Sequence, residues 1–397
     1  MCEVTQMRIV HIAPNATFDD GWGFQDNLLP KYQQKLGHDI TLLVRNVVHD
    51  GQKKKETIPE RFQSIDGFAV ERIAYTKQPS RFLTQFLCKL PVYDRLMELQ
   101  PDLVFCHGLM STTILDVIRY KKMRKRQGKD CIILQDNHLD YNIGTDPKTI
   151  KDKILRTYYR MLNRKSQKYV ERVYGVTPWR VQYAQDYYKI NSALTDVLIM
   201  GADDEKIDLV NREKTRKRIR AQYGVGEKDF LIVTGGKIDR KKKIHLLMEA
   251  CSNMPGVQLL VFGNVSADLQ EEYDRILAES QNIHSIGWIS ADKVYDYFFA
   301  ADLVFFPGQH SVLWEQACAA KVPCVFGRWP GMDHVNNGGN AQFIENPTAR
   351  TIREKIQSLH FTQQYEQMRV VAQSDATDIY LYSEIAKKSL SGIRNIL

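Results

Sequence analysis

The sequence predicts two doubly wound α/β domains, each a mostly parallel sheet covered by helices. Three observations carry this. Short apolar runs alternate with longer segments of helical period. After Val197–Met200 and a charged stretch, Asn211–Tyr223, the alternation restarts at Phe230. The length, 397 residues, allows two cores of ordinary size. With 43% hydrophobic and 26% charged residues, 23 Gly and 13 Pro, collagen-like, coiled-coil and disordered classes are excluded.

In the first domain, apolar runs place strands at Arg8–Ala13, Ile40–Arg45, Ala69–Ile73, Leu103–Cys106, Ile132–Gln135 and Arg172–Val176. Helical period places helices at Asn27–Leu36, Arg81–Leu99 with a break near Pro91, Thr112–Arg126 and Ile150–Lys168. The second domain reads as strand Phe230–Thr234, helix Ile244–Asn253, strand Gln258–Phe262, helix Leu269–Ser280 and strand Ile283–Ile286. Helix Asp292–Ala300, strand Leu303–Phe306, helix Leu313–Ala320 and strand Pro323–Gly327 follow. The expected limits are 1–195 and 196–375, with a C-terminal helix within 376–397 packing back towards the first domain.

Seven cysteines (2, 88, 106, 131, 251, 318 and 324) form no CxxC pair and mostly lie in apolar runs, so buried free thiols in a reducing compartment are expected. No stretch approaches the roughly 18 to 20 apolar residues of a membrane span, and no secretory signal is recognisable, so a cytoplasmic location is expected. The net charge of +8 is uneven: residues 1–190 hold 31 Lys and Arg against 21 Asp and Glu. The excess concentrates in Lys53–Lys55, Lys121–Lys129 and Lys148–Lys168, where Arg156, Arg160 and Arg164 recur every four residues. Such runs are either solvated helix faces or a surface for an anionic bilayer, peripheral at the inner membrane face. With no RRM signature, paired zinc ligands or helix-turn-helix pattern, nucleic acid is not an expected partner.

In doubly wound sheets ligands bind beyond the carboxyl ends of strands. There the first strand is followed by Gly21 and Gly23 just ahead of a helix, a place for close approach to phosphate or sugar. The GxGxxG fingerprint is missing and Leu43-Val44-Arg45 ends the second strand without an acid, which disfavours a nicotinamide cofactor. Strand Phe230–Thr234 runs into Gly235-Gly236-Lys237 and then Lys241–Lys243 at a helix start, which suits a diphosphate; P-loop spacing is absent. After Leu303–Phe306 come Pro307, Gly308, Gln309, His310 and Ser311, and then Glu315 among Leu, Ala and Cys, a carboxylate suited to ribose hydroxyls or to the helix dipole.

These pieces together resemble the retaining, nucleotide-sugar-dependent glycosyltransferases of family 4, which have the GT-B fold: two facing Rossmann-like domains with a cleft between them. Gly236-Lys237-Ile238-Asp-Arg-Lys-Lys242-Lys243 with Ala250 resembles the family's GRLxxxKG stretch, with Lys237 for Arg and Lys243 for Gly. Ile199-Met-Gly201-Ala202-Asp203 resembles its PNGVD-like turn, and Leu36–Val44 its GHEVxVxT. Of the E-x7-E motif only the second Glu is kept, as Glu315; Pro307 stands in the first position.

The resemblance implies transfer of a sugar from a nucleoside diphosphate, UDP being expected, to an acceptor hydroxyl in cell-surface polysaccharide or glycolipid assembly. It assigns Glu315 to the ribose hydroxyls, Lys237 and Lys242 with the Gly23, Gly236 and Gly308 backbone to the diphosphate, and His138 to the donor sugar. Gln309, His310 and the amides up to Ser311 are expected to replace the missing Glu, Gly263 and Trp288 to meet the base, and Asp19, Asp20 and His107 to line the acceptor side. Departing phosphate takes the acceptor proton in this family. No cofactor and no metal are expected, since the sequence shows no DxD and no convincing ligand spacing. Two alternatives stay open: a non-catalytic glycosyltransferase-like binding protein, favoured by Pro307, and a nucleotide-sugar 2-epimerase.

Overall fold

A computed structural model describes residues 6–51, 53–141 and 149–393. Cys2 and Lys148 therefore lie outside the described residues. The chain divides into two compact units, one of residues 1–199 with 385–397, the other of residues 200–384.

The first unit contains strands β1 (Arg8–Ala13), β2 (Asp39–Arg45), β3 (Val47–Asp50), β4 (Lys53–Glu56), β5 (Glu60–Gln63), β6 (Ala69–Ile73), β7 (Leu103–Cys106), β8 (Ile132–Asn137), β9 (Arg172–Gly175) and β10 (Thr195–Val197). Its helices are α1 (Gln25–Lys35), α2 (Arg81–Leu87), α3 (Tyr93–Leu99), α4 (Ile114–Arg126), α5 (Ile150–Ser166) and α6 (Pro178–Asp186). Eight strands form one sheet in the order β10-β9-β8-β7-β1-β2-β6-β5, parallel except where β5 pairs antiparallel with β6. All four residues of β7 are buried, as a central parallel strand covered on both faces requires. α5 opens on a capping box in which Thr149 accepts from the Asp152 amide and Asp152 accepts from the Thr149 amide.

The second unit contains α7 (Arg212–Gln222), β11 (Phe230–Ile238), α8 (Ile244–Cys251), β12 (Val257–Val265), α9 (Gln270–Glu279), β13 (Ile283–Gly287) and α10 (Val294–Ala300). It continues with β14 (Leu303–Phe306), α11 (Leu313–Ala319), β15 (Cys324–Gly327), β16 (Ala341–Ile344), α12 (Ala349–Leu359), α13 (Gln363–Ala372) and α14 (Tyr382–Leu390), whose residues from Ile385 onward belong to the first unit. Its sheet is parallel throughout, in the order β13-β12-β11-β14-β15-β16. In each sheet the chain winds outward from one central strand and then returns to its other side, between β1 and β7 and between β11 and β14. Such reversals are where α/β sheets bind ligands.

Several elements differ from expectation. β11 and β12 run four and three residues past the expected ends because Gly235–Ile238 and Gly263–Val265 pair in register. β8 continues through Asp136 and Asn137, putting two polar residues inside the sheet. The hairpin β3–β4, the edge strands β5 and β10, and β16 carry too little apolar signal to be read from sequence; β4 is four exposed charged residues, a composition that protects edges. Among the described residues the six cysteines are free, and all but Cys88 are buried.

Candidate functional site

In the second unit, two loops meet beyond the carboxyl ends of β11 and β14. Gly308 lies so close to the preceding loop that a Cβ there would meet the Lys242 carbonyl carbon at 2.3 Å. The Gln309 amide donates to the Lys241 carbonyl at 3.0 Å. Lys242 Nζ donates to the carbonyls of Gln309 at 2.7 Å and His310 at 2.9 Å. Burial lowers its pKa to about 8, against the pull of Asp239 and helped by the nearby Lys237. Two of its three N–H directions serve the loop. Lys237 is exposed and pairs with Asp239 at 3.3 Å. Lys243 has φ +55°, so the position where the family carries Gly keeps a left-handed backbone here.

Gly236 and Gly263, expected to cradle phosphate and base, face each other across β11 and β12: a Cβ on Gly263 would meet the Gly236 carbonyl oxygen at 1.8 Å. Their absence of side chain serves strand packing. Trp288 follows β13 and is 69% exposed. The Gln309 amide, offered above to a ligand, is engaged by Lys241. Ser311 supplies the carbonyl that accepts from Trp314 at the start of α11.

Glu315, in α11, is fully buried. Its Oε1 lies 2.8 Å from His310 Nε2 and 2.8 Å from His334 Nε2, while Oε2 has no partner among the described residues. Burial opposes its ionisation, but the two imidazoles outweigh burial and bring the carboxyl down to about 2. His310, expected to contact sugar, thus holds the carboxylate. His334 was not anticipated; it lies in a turn after β15, and its place in the sequence gave no sign of the pairing. Among the described residues these three side chains form a set whose ligand atoms lie within 4.8 Å of one another, a His₂Glu group of the kind that suits zinc.

The first unit holds a second carboxylate at its own strand ends. Asp136, at the end of β8, is buried and lies 2.7 Å from His107 Nδ1 and 3.3 Å from His138 Nε2; its other oxygen accepts from the Gly108 amide at 2.7 Å. Burial opposes its charge, yet the two imidazoles hold it far below the usual carboxylate range. His138 sits in the turn after β8 with its side chain 39% exposed. Asn137 fixes that turn, donating to the carbonyls of Leu139 and Arg180.

His107, expected to face an acceptor, is instead buried between Asp136 and His11. Asp19 and Asp20 are similarly engaged: Asp19 accepts from the His49 amide at 3.0 Å and lies 2.5 Å from its Nδ1, and Asp20 accepts from the Ile65 amide. Asp19 ties the loop after β1 to β3, and Asp20 ties it to the turn between β5 and β6. Gly23 has open space where a Cβ would stand, whereas Gly21, at φ +76°, is the glycine this turn requires.

No curated protein matches the sequence. Residues 215–373 match the family "Glycosyl transferases group 1". Among solved structures, a glycosyltransferase from Rickettsia africae is similar over 97% of both chains, with TM-score 0.70 and 15% identity. HepE from Anabaena in complex with UDP-glucose is similar over 98% of this chain and 100% of its own, with TM-score 0.63 and 15% identity. WaaG, a glycosyltransferase involved in lipopolysaccharide biosynthesis, is similar over 97% and 100%, with TM-score 0.62 and 16% identity. The chain therefore has the GT-B fold, and its second unit is similar to the group 1 glycosyl transferases over residues 215–373.

Proposed function

We propose that this chain transfers a glycosyl group, with retention, from a nucleoside-diphosphate sugar to an acceptor hydroxyl. The observation that carries this is Glu315: an ionised, fully buried carboxylate with one oxygen unpartnered is costly unless something polar arrives, and a ribose diol supplies two donors. The third N–H of Lys242 and the exposed ammonium of Lys237 meet the diphosphate. As the bond from anomeric carbon to phosphate oxygen breaks, its electron pair stays on the diphosphate, the acceptor oxygen bonds the carbon, and the departing phosphate takes the acceptor's proton. UDP is the nucleotide we propose, in keeping with HepE, crystallised with UDP-glucose.

The test is a thermal-shift panel of UDP, GDP, ADP, CDP and dTDP, with EDTA and with magnesium, followed by transfer assays with the matching sugars. Saturation at one hundred times Kd adds about 2.7 kcal/mol of stability. A selective shift that survives EDTA, followed by transfer, supports a reaction needing no metal; loss of the shift in EDTA points to metal at His310, Glu315 and His334. A shift without transfer favours the second reading, a binding protein, to which Pro307 in place of the first motif Glu lends weight.

We place the acceptor on the first unit and propose that it is presented at an anionic bilayer, in assembly of a cell-surface polysaccharide or glycolipid. No helix of the described residues is long and apolar enough to cross a membrane. On α5, however, Ile150, Ile154 and Met161 are 76%, 57% and 53% exposed along one stripe, flanked by exposed Lys151, Lys153, Arg160 and Arg164. Flotation with phosphatidylglycerol vesicles is expected to carry the protein, and phosphatidylcholine vesicles are not. Undiminished flotation of an Ile154→Asp, Arg160→Ala, Arg164→Ala variant removes this face from consideration.

A further inference from the structure

Beneath the turn that carries His138, polar side chains cross the interior of the first unit in one hydrogen-bonded line. Ser389 of α14 donates its hydroxyl hydrogen to the Ala386 carbonyl at 2.6 Å and accepts from Gln33 Nε2 at 2.8 Å. The amide orientation of Gln33 then turns Oε1 towards His11 Nε2, 2.7 Å away. His11 must therefore donate from Nε2 and, as a neutral ring, accept at Nδ1. His107 Nε2, 3.0 Å from that nitrogen, donates to it, and His107 Nδ1 donates to Asp136 Oδ2. The line assigns protons to both nitrogens of His107 and to one of His11.

Charge follows the same pattern. Burial works against a cationic His107, but Asp136 and Asp26, whose Oδ1 is 3.3 Å from its Nδ1, outweigh burial and raise its pKa. Burial, with the His107 charge beside it, drops His11 to about 3. Asp136 thus has a fixed counter-cation behind it. His138, in front, turns Nε2 to the carboxylate at 3.3 Å, and since a carboxylate only accepts, that nitrogen carries the hydrogen. The Gly108 amide and Gln25 Nε2, at 3.4 Å, also donate to Asp136, and the Asp26 carboxylate shares His107 Nδ1 with it.

We propose that Asp136 is a positioning residue for His138: backed by His107, it holds the Nε2 hydrogen of His138 and leaves Nδ1 as the acceptor presented to a sugar hydroxyl. This rests on the reading above that His138 meets the transferred sugar. Nitrogen-15 NMR of the histidine rings measures the tautomer without substrate. The expected result is Nε2–H for His138 in the wild type and a mixed tautomer in Asp136→Asn. An unchanged tautomer in Asp136→Asn overturns the proposal, as does an Nδ1–H wild-type ring.

In transfer assays, Asp136→Asn is expected to lower kcat by about 10- to 100-fold with donor KM near wild type. Added to His138→Gln, it is expected to cost little more. Additive losses, or a variant whose only defect is a lower melting temperature, assign Asp136 to fold support alone. If no donor gives transfer, the function reading fails, and the tautomer measurement still decides the role of Asp136.

Discussion

Each unit buries one carboxylate between two imidazoles at the carboxyl ends of its strands, and the two differ in what is left over. Asp136 is saturated: the Gly108 amide on one oxygen, and His107, His138 and Gln25 about the other. Glu315 takes both histidines on Oε1 and leaves Oε2 without a partner among the described residues. The first carboxylate supports a partly exposed ring; the second keeps an oxygen in reserve. A residue type and a pair of neighbours do not define a role; the count of filled lone pairs does.

The sharpest way to break this contrast is to neutralise each carboxylate and read nucleotide affinity. Glu315→Gln is expected to weaken the nucleotide by about 10- to 100-fold, the scale of a hydrogen bond to a charged group, whereas Asp136→Asn leaves titrated Kd within about twofold. Equal losses would abolish the distinction. Next in size is Gly308→Ala: the added methyl meets Lys242 backbone at 2.3 Å, and overpacking of this kind costs about 1–3 kcal/mol. Chemical denaturation should show that loss, with nucleotide binding falling alongside.

Lys242 supplies a pH test. With its pKa at about 8, raising pH through 8 removes the ammonium, so nucleotide affinity should fall there, with about one site in ten still charged at pH 9. Lys242→Arg, charged throughout, should flatten that profile in a calorimetric titration. The smallest effect concerns His11. Its pKa of about 3 lies below the unfolded value, so the unfolded state binds more protons between about 6.5 and 3, and stability should fall as pH drops through that window. His11→Gln should lessen the slope in acid melts.

Much of the architecture was legible because parallel core strands are largely apolar runs: β1, β7 and β14 begin and end where those runs do. Edge elements such as β5, Glu-Arg-Phe-Gln, were not, since one face and one edge meet water and the pattern carries little apolar content. At the candidate site, Glu315, Lys242 and His138 stood out from their motifs. Asp136 was visible beside His138 without a role, and His11 sat unremarked inside an apolar strand.

Residue order alone determined the two α/β sheets, their restart at Phe230 and the strand ends where chemistry should lie, because hydrophobic period and glycine placement are local properties. Tertiary structure alone decided which polar groups meet. His334 reaches Glu315 across 19 residues, His107 reaches Asp136 across 29, and Gln33 reaches Ser389 across 356. Hydrogen bonds form over about 3 Å, and a chain records sequence distance, not that separation. The same contacts occupy Asp19 and Asp20 with backbone amides at positions still open to solvent, and bury His107 between two side chains.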